Sequence, residues 1–93
     1  MEIKHQEDGK KGYFFIEKEG EKKAEMVYSK AEDQLFIIEH TEVDDSLRGE
    51  GAGKKMVMKA VELARKSGKK IMPLCPFAKS VFDKNKEIRD VLK

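Results

Sequence analysis

Apolar side chains in the first half of the chain come in short strand-length runs, alternating with polar residues in the third of them, and charged turns separate the runs. Ile3 between polar residues predicts a short first strand within Met1–Glu7. Asp8-Gly9-Lys10-Lys11-Gly12 carries turn chemistry, Asp-Gly being a strong hairpin signal. Tyr13-Phe14-Phe15-Ile16, dense in aromatic and β-branched residues, predicts the second strand, and Glu19-Gly20-Glu21-Lys22-Lys23 the next solvated turn. A third strand follows, with Ala24, Met26 and Tyr28 on one face and Glu25, Val27 and Ser29 on the other. Ala31-Glu32-Asp33 turns the chain again. Gln34 to Val43 predicts a fourth strand in which Phe36, Ile38 and His40 point one way and Leu35, Ile37 and Thr41 the other. Apolar side chains on both faces place it near the sheet centre, partly covered on each side.

The period then changes. Met56, Val57, Ala60, Val61 and Ala64 recur at helical spacing, with Leu63 at the margin, while Lys55, Lys59, Glu62 and Lys66 fill the opposite surface. Ser67-Gly68 stops this helix, glycine standing at the usual C-terminal position. Lys69 to Cys75 predicts a fifth strand, in which Pro73 implies that one side lacks normal pairing. Pro76 opens a second helix with apolar Phe77, Ala78, Val81 and Phe82; Asp83-Lys84-Asn85-Lys86 interrupts it, and Glu87 to Leu92 is a short terminal helical segment. Strand, glycine turn, helix, strand is a crossover, so strands four and five should run parallel and the connection be right-handed. The expectation is one α/β domain over residues 1–93, its sheet mainly antiparallel apart from the fourth–fifth pair.

Composition narrows the function. The surface is heavily charged, yet 20 basic and 18 acidic residues interleave to a net charge of only +2, which gives no footprint for nucleic-acid binding. No apolar run approaches the ~20 residues of a membrane span, and the charged start is not a signal peptide. The lone cysteine, Cys75, excludes an internal disulfide and suits a reducing cytoplasm.

The chemistry concentrates in Ser46-Leu47-Arg48-Gly49-Glu50-Gly51-Ala52-Gly53-Lys54-Lys55, between the fourth strand and the first helix. Glycine at alternate positions permits sharp turns and close approach of backbone to a ligand. The first N–H groups of the helix lack intrahelical acceptors, and with the helix dipole, Arg48, Lys54 and Lys55 they form a cradle for a phosphate or pyrophosphate. The dinucleotide fingerprint G-x-G-x-x-G does not fit the spacing, nor does a Walker loop, where Arg48 would stand in for glycine and Lys55 for Ser/Thr.

Arg48-x-x-Gly51-x-Gly53 resembles the R/Q-x-x-G-x-G/A signature of the GNAT superfamily of acyl-CoA-dependent N-acetyltransferases. Together with Glu42-Val43 upstream and Pro73-Leu74-Cys75-Pro76-Phe77 downstream, it is similar to the short GNAT-like acetyltransferases, the match running from Ile37 to Phe82. The resemblance implies transfer of an acetyl group from acetyl-CoA to an amine, with the pantetheine arm in a V-shaped opening between splayed strands four and five. It assigns the pantetheine amides to the backbone of Thr41, Glu42 and Val43. The pyrophosphate falls to the backbone N–H groups of Arg48, Gly49, Glu50, Gly51, Ala52, Gly53 and Lys54. Two departures stand out. The N-terminal helices that wall the acceptor site in larger members are replaced here by strands. The tyrosine that many members use to protonate the departing CoA thiolate has no counterpart, the only tyrosines being Tyr13 and Tyr28.

Cys75 is the titratable group nearest that vacant place, at a strand end before a Pro-started helix whose N-terminus favours a thiolate. It is a candidate acyl acceptor, a general acid to the CoA sulfur, or a packing residue. His40 is the candidate base for the amine, against the plain alternative of a core histidine; His5 reads as an ordinary surface residue. A metal site from His5, His40, Cys75 and Asp44 lacks any ligand spacing and is rejected. The expected partners are acetyl-CoA and an amine acceptor, with the chain a monomer or weak dimer, and the alternative function is a CoA-binding module without catalysis.

Overall fold

A computed structural model describes residues 1–32 and 34–93. Five strands, β1 (Lys4–Asp8), β2 (Lys11–Lys18), β3 (Glu21–Glu32), β4 (Leu35–Val43) and β5 (Lys70–Pro73), form one sheet in the order β1-β2-β3-β4-β5. The first three pairings are antiparallel and β4–β5 is parallel, as the crossover requires. Between β4 and β5 lie a short 3-10 turn (Asp45–Leu47) and helix α1 (Ala52–Ser67). After β5 come helix α2 (Pro76–Lys84) and a terminal 3-10 segment (Lys86–Val91).

The turns follow from their residues. Asp8-Gly9-Lys10-Lys11 closes with φ 62° at Gly9, and Glu19-Gly20 takes positive φ at both central positions, 54° and 80°, the twist that suits a two-residue hairpin. The β3–β4 turn was placed at Ala31-Glu32-Asp33; β3 continues through Glu32, and Asp33 lies outside the described residues.

One face of the sheet carries Phe14, Ile16, Ala24, Met26, Tyr28, Phe36 and Ile38, all buried, and α1 seals it with Met56, Val57, Ala60, Val61 and Ala64. Each fully buried Met or Val here contributes roughly 1.5–3 kcal/mol of transfer free energy. Gly68, at φ 68°, caps α1, its N–H turning back to the carbonyls of Ala64 and Arg65. Arg65 then clamps the chain end, donating from Nε and Nη2 to the Asp90 carboxylate at 2.9 and 2.7 Å.

Among the described residues no helix packs on the opposite face, which corrects the expectation that β4 is covered on both sides. Val27 and Leu35 are nevertheless buried there. The face is shielded by its own long polar side chains: Lys22 lies 5.0 Å over the Phe15 ring, and Lys11 of β2 pairs with Glu39 of β4.

Gly12 belongs to β2, not to the turn. A Cβ there would lie 2.1 Å from Cζ of the buried Tyr28 ring, so the residue is glycine because an aromatic ring lies flush on the backbone. Gly12→Ala is expected to cost stability on the overpacking scale, roughly 1–3 kcal/mol, read as a lower urea midpoint with unchanged slope. A wild-type midpoint in that variant contradicts the packing.

That ring also anchors a polar cluster. The Tyr28 hydroxyl donates to Glu7 Oε2 at 2.7 Å, and His5 Nε2 lies 2.6 Å from the same oxygen. Since the phenol has one hydrogen, Nε2 of His5 is the donor to it. His5, exposed as its surface position predicts, also stacks on Phe14, centroids 4.3 Å apart and planes 7° off parallel, and so walls this cluster. Burial and then the hydrogen bond to Glu7 push the Tyr28 phenol far above its ordinary range. Burial, with Lys30 adding to it against the opposing pull of Glu7, holds His5 below its ordinary 6.5. Hydrogen bonds from Lys30 and then Tyr28 hold Glu7 below 4.5. Both depressed values act in one direction. The native state resists protonating His5 and Glu7, so their contribution is whole above 6.5 and shrinks as pH falls below it, with Glu7 adding its loss below 4.5. The melting temperature should therefore fall between pH 7 and 5, and His5→Phe should flatten that slope. An unchanged slope in the variant removes His5 from the account.

Candidate functional site

The site begins where β4 and β5 part. They pair from Leu35↔Lys70 to Ile38↔Pro73, and then the Ile38 carbonyl accepts from both Leu74 N–H at 3.1 Å and Cys75 N–H at 3.2 Å. Beyond that point β4 runs on from Glu39 to Val43 paired only with β3, so one edge of this stretch has no strand beside it. Pro73, which closes β5, has no N–H to extend the ladder.

A bulge re-aims the side chains of that stretch. Tyr28 pairs with Ile38 but Val27 pairs with His40, leaving Glu39 as an extra residue in β4. The alternation is reset, so Thr41, paired with core-facing Met26, returns to the helix-covered face. His40 goes to the other face, half exposed and 3.5 Å from Glu42 Oε1. The sequence reading had these two reversed, with His40 beside Phe36 and Ile38, because strict alternation carries no sign of a bulge. The consequence is chemical: Cys75 Sγ lies 3.6 Å from Thr41 Oγ1, and His40 does not share their face.

Cys75 is buried and occupies the N-cap of α2 in extended conformation, with Pro76 at the first helical position. Its neighbour Phe77 begins the far wall of the cleft. A Cβ on Gly53 would sit 2.6 Å from the Phe77 ring, so this glycine lets α2 close against the first turn of α1. The other loop glycines serve the backbone itself: Gly49 has φ 82° and Gly51, the N-cap of α1, φ 70°, both in open space. Asp44 holds the loop start, its side chain accepting from Ser46 N–H at 2.9 Å, and Leu47 pins it into the core. Arg48 reaches Asp45 at 3.2 Å on the open surface.

The N-terminus of α1 carries no side-chain cap, Gly51 offering none, and no acidic residue stands in the first turn. These N–H groups, the positive end of a 16-residue helix and the adjacent Lys54 open into a cleft of about 450 Å³. Thr41, Val43, Leu47, Arg48, Gly49, Gly51, Ala52, Gly53, Lys54 and Phe77 line it. Eight of these are binding candidates of the sequence reading; Leu47 and Phe77 stand in its motifs without a binding role. Four of the proposed site residues lie outside the lining: Glu42, opposite Glu25 across the β3–β4 pair; Glu50, 3.9 Å from Lys18; His40, on the other face; and Cys75, buried behind Thr41. Val43 and Phe77 are exposed apolar residues, as is Leu74, next to Cys75. Neither tyrosine serves the cleft: Tyr28 is spent on Glu7 and His5, and Tyr13 pairs with Val27 on the face without helices. Among the described residues no group of three or more His, Cys, Asp or Glu side chains is placed to hold a metal ion, and no helix is long and apolar enough to cross a membrane.

The profile of the GCN5-related N-acetyltransferases matches residues 13–91. The chain is similar along its whole length to a solution structure of a GCN5-like N-acetyltransferase candidate from Staphylococcus aureus. Identity is 36% over 99% of this chain and 87% of that one, with a TM-score of 0.75. An IAA acetyltransferase from Bacillus cereus shares the fold at 20% identity and a TM-score of 0.63, over 82% of this chain and 54% of its own. A nourseothricin acetyltransferase matches at 26% identity with a TM-score of 0.53, over 64% of this chain and 36% of its own. No curated protein matches the chain.

Proposed function

We propose, given that this chain belongs to the GCN5-related N-acetyltransferase family, that it moves the acetyl group of acetyl-CoA to an amine in the cleft between β4, α1 and α2. The observation that carries the reading is a cleft in which the uncapped N-terminus of α1 meets the edge of β4 at Thr41 and Val43 that β5 leaves unpaired, with Cys75 beside Thr41 just behind the lining. The backbone N–H groups of Gly49 and of Gly51 to Lys54 hold the pyrophosphate, with Lys54 adding charge; those of Arg48 and Glu50 already donate to the carbonyls of Asp45 and Leu47. The pantetheine arm lies along Thr41, Glu42 and Val43 as a substitute fifth-strand partner, satisfying backbone groups that β5 leaves open.

In the transfer step the amine lone pair attacks the thioester carbonyl carbon, a C–N bond forms, and the C–S bond breaks with its electron pair going to sulfur. A β4 backbone N–H stabilises the oxyanion. Cys75 Sγ supplies the proton that neutralises the CoA thiolate, filling the place that no tyrosine occupies. The amine loses its proton to water, or to His40 when the acceptor arrives from the helix-free face where His40 stands. Direct transfer needs no acetyl-Cys75 intermediate.

The test is turnover. The protein, acetyl-CoA and a panel of primary amines, including lysine-containing peptides, are analysed for acetylated product by mass spectrometry and for released CoA thiol. Product that grows with time and protein concentration supports the reading. Tight CoA binding without product across the panel returns the chain to the class of CoA-binding modules.

A further inference from the structure

One edge of the sheet is closed by the chain itself and the other is not. Beyond β5, Leu92 bridges to Ile71 and the Lys93 N–H donates to the Ile71 carbonyl at 2.9 Å. Among the described residues no strand lies beyond β1, and all five β1 residues are exposed. An open edge is a template for another strand unless its charges forbid pairing. Here they invite it. Lys4-His5-Gln6-Glu7-Asp8 carries its cation at one end and its carboxylates at the other, so Lys4 and Asp8 become complements when the strand is laid antiparallel to a copy of itself.

From this self-complementarity we infer that β1 is a homodimerisation edge, joining two copies into one continuous antiparallel sheet about a two-fold axis through Gln6. The register follows from geometry. A two-fold axis normal to the sheet keeps both sets of helices on one side, so residues opposite each other must share a face. Centred on Gln6, Lys4 faces the partner's Asp8, His5 faces the partner's Glu7, and Glu2 faces the partner's Lys10. Centring on His5 sets Glu2 against Asp8; centring on Glu7 sets Glu7 against itself and Lys4 against Lys10. Like charges directly opposite are destabilising, so one register stands out.

The backbone is in phase with it. The two-residue turn at Gly9-Lys10 makes Asp8 and Lys11 a hydrogen-bonded pair, so alternation commits the polar groups of Lys4, Gln6 and Asp8 to β2. Those of His5 and Glu7 point outward, where they exchange four N–H to carbonyl bonds with the partner's Glu7 and His5 across the axis. So short a seam makes a weak, reversible dimer.

Sedimentation equilibrium from low micromolar to millimolar protein reads the association. Wild type should show a monomer–dimer equilibrium. Lys4→Glu sets Glu against the partner's Asp8, and Asp8→Lys sets Lys against the partner's Lys4; each repulsion occurs twice, raising the dimer Kd by about tenfold or more. An equimolar mixture of the two variants should regain wild-type association, because both contacts become opposite-charge pairs in the heterodimer. That rescue is outside the reach of a folding defect, which a circular dichroism spectrum checks in parallel. A wild type that stays monomeric at millimolar concentration overturns the proposal. So do single variants that associate like wild type, and a mixture that fails to recover.

Discussion

Cys75→Ser should lower kcat by about 10²- to 10⁴-fold while leaving the Kd for CoA nearly unchanged, the range by which general acid–base assistance commonly accelerates a step. The expectation rests on placement. Cys75 stands at the N-cap of α2 where β5 leaves β4, buried, with its sulfur 3.6 Å from Oγ1 of Thr41, which lines the cleft. Serine preserves the size and the contact to Thr41 but is a far weaker acid. Steady-state rates on any amine the wild type acetylates, with CoA affinity measured by calorimetry, separate chemistry from binding. A fully retained kcat would show that Cys75 is packing and that water protonates the leaving thiolate. His40→Ala is the companion measurement. Its loss in kcat should appear only with acceptors that reach the helix-free face, since the bulge at Glu39 turns His40 away from Cys75.

Gly51→Val should weaken acetyl-CoA binding by about 10- to 100-fold, the equivalent of roughly 1–3 kcal/mol of backbone strain. Gly51 holds φ at 70° as the N-cap of α1, a conformation that a β-branched residue adopts only at a cost. Open space surrounds the position, so the variant suffers from strain and not from a clash, and the rest of α1 should keep its structure. The loop escapes the strain by changing φ, which turns the first-turn N–H groups off the pyrophosphate. Calorimetry on both proteins, with helicity followed by circular dichroism, reads the effect. Equal affinity in a folded variant would remove the loop from the binding site.

The architecture was legible because its signals are periodic. Alternation gave the strands, the three- and four-residue spacing gave α1, and the strand–helix–strand order forced β4 and β5 to be parallel. The glycine-rich loop was legible because few other roles need Gly49, Gly51 and Gly53 so close together. What escaped depends on events at a distance. The bulge that exchanges Thr41 and His40 arises from pairing with β3, and no residue of β4 announces it. Gly12 looked like part of a turn because its real constraint, the Tyr28 ring, lies on another strand. Phe77 looked like a core residue of α2 until Gly53 was found beneath it. His5 has no local signature; its partners Phe14, Tyr28 and Glu7 assemble only when β1, β2 and β3 align.

The central claim, that acetyl-CoA occupies the cleft between the free edge of β4 and the first turn of α1, is tested most directly by titrating acetyl-CoA into isotope-labelled protein. The backbone amide shifts are then followed by NMR. Saturable changes should concentrate at Thr41 to Val43, Arg48 to Lys54 and Cys75 to Phe77, with the strands β1 and β2 unmoved. Saturating changes centred elsewhere, or no change at millimolar acetyl-CoA, would contradict it.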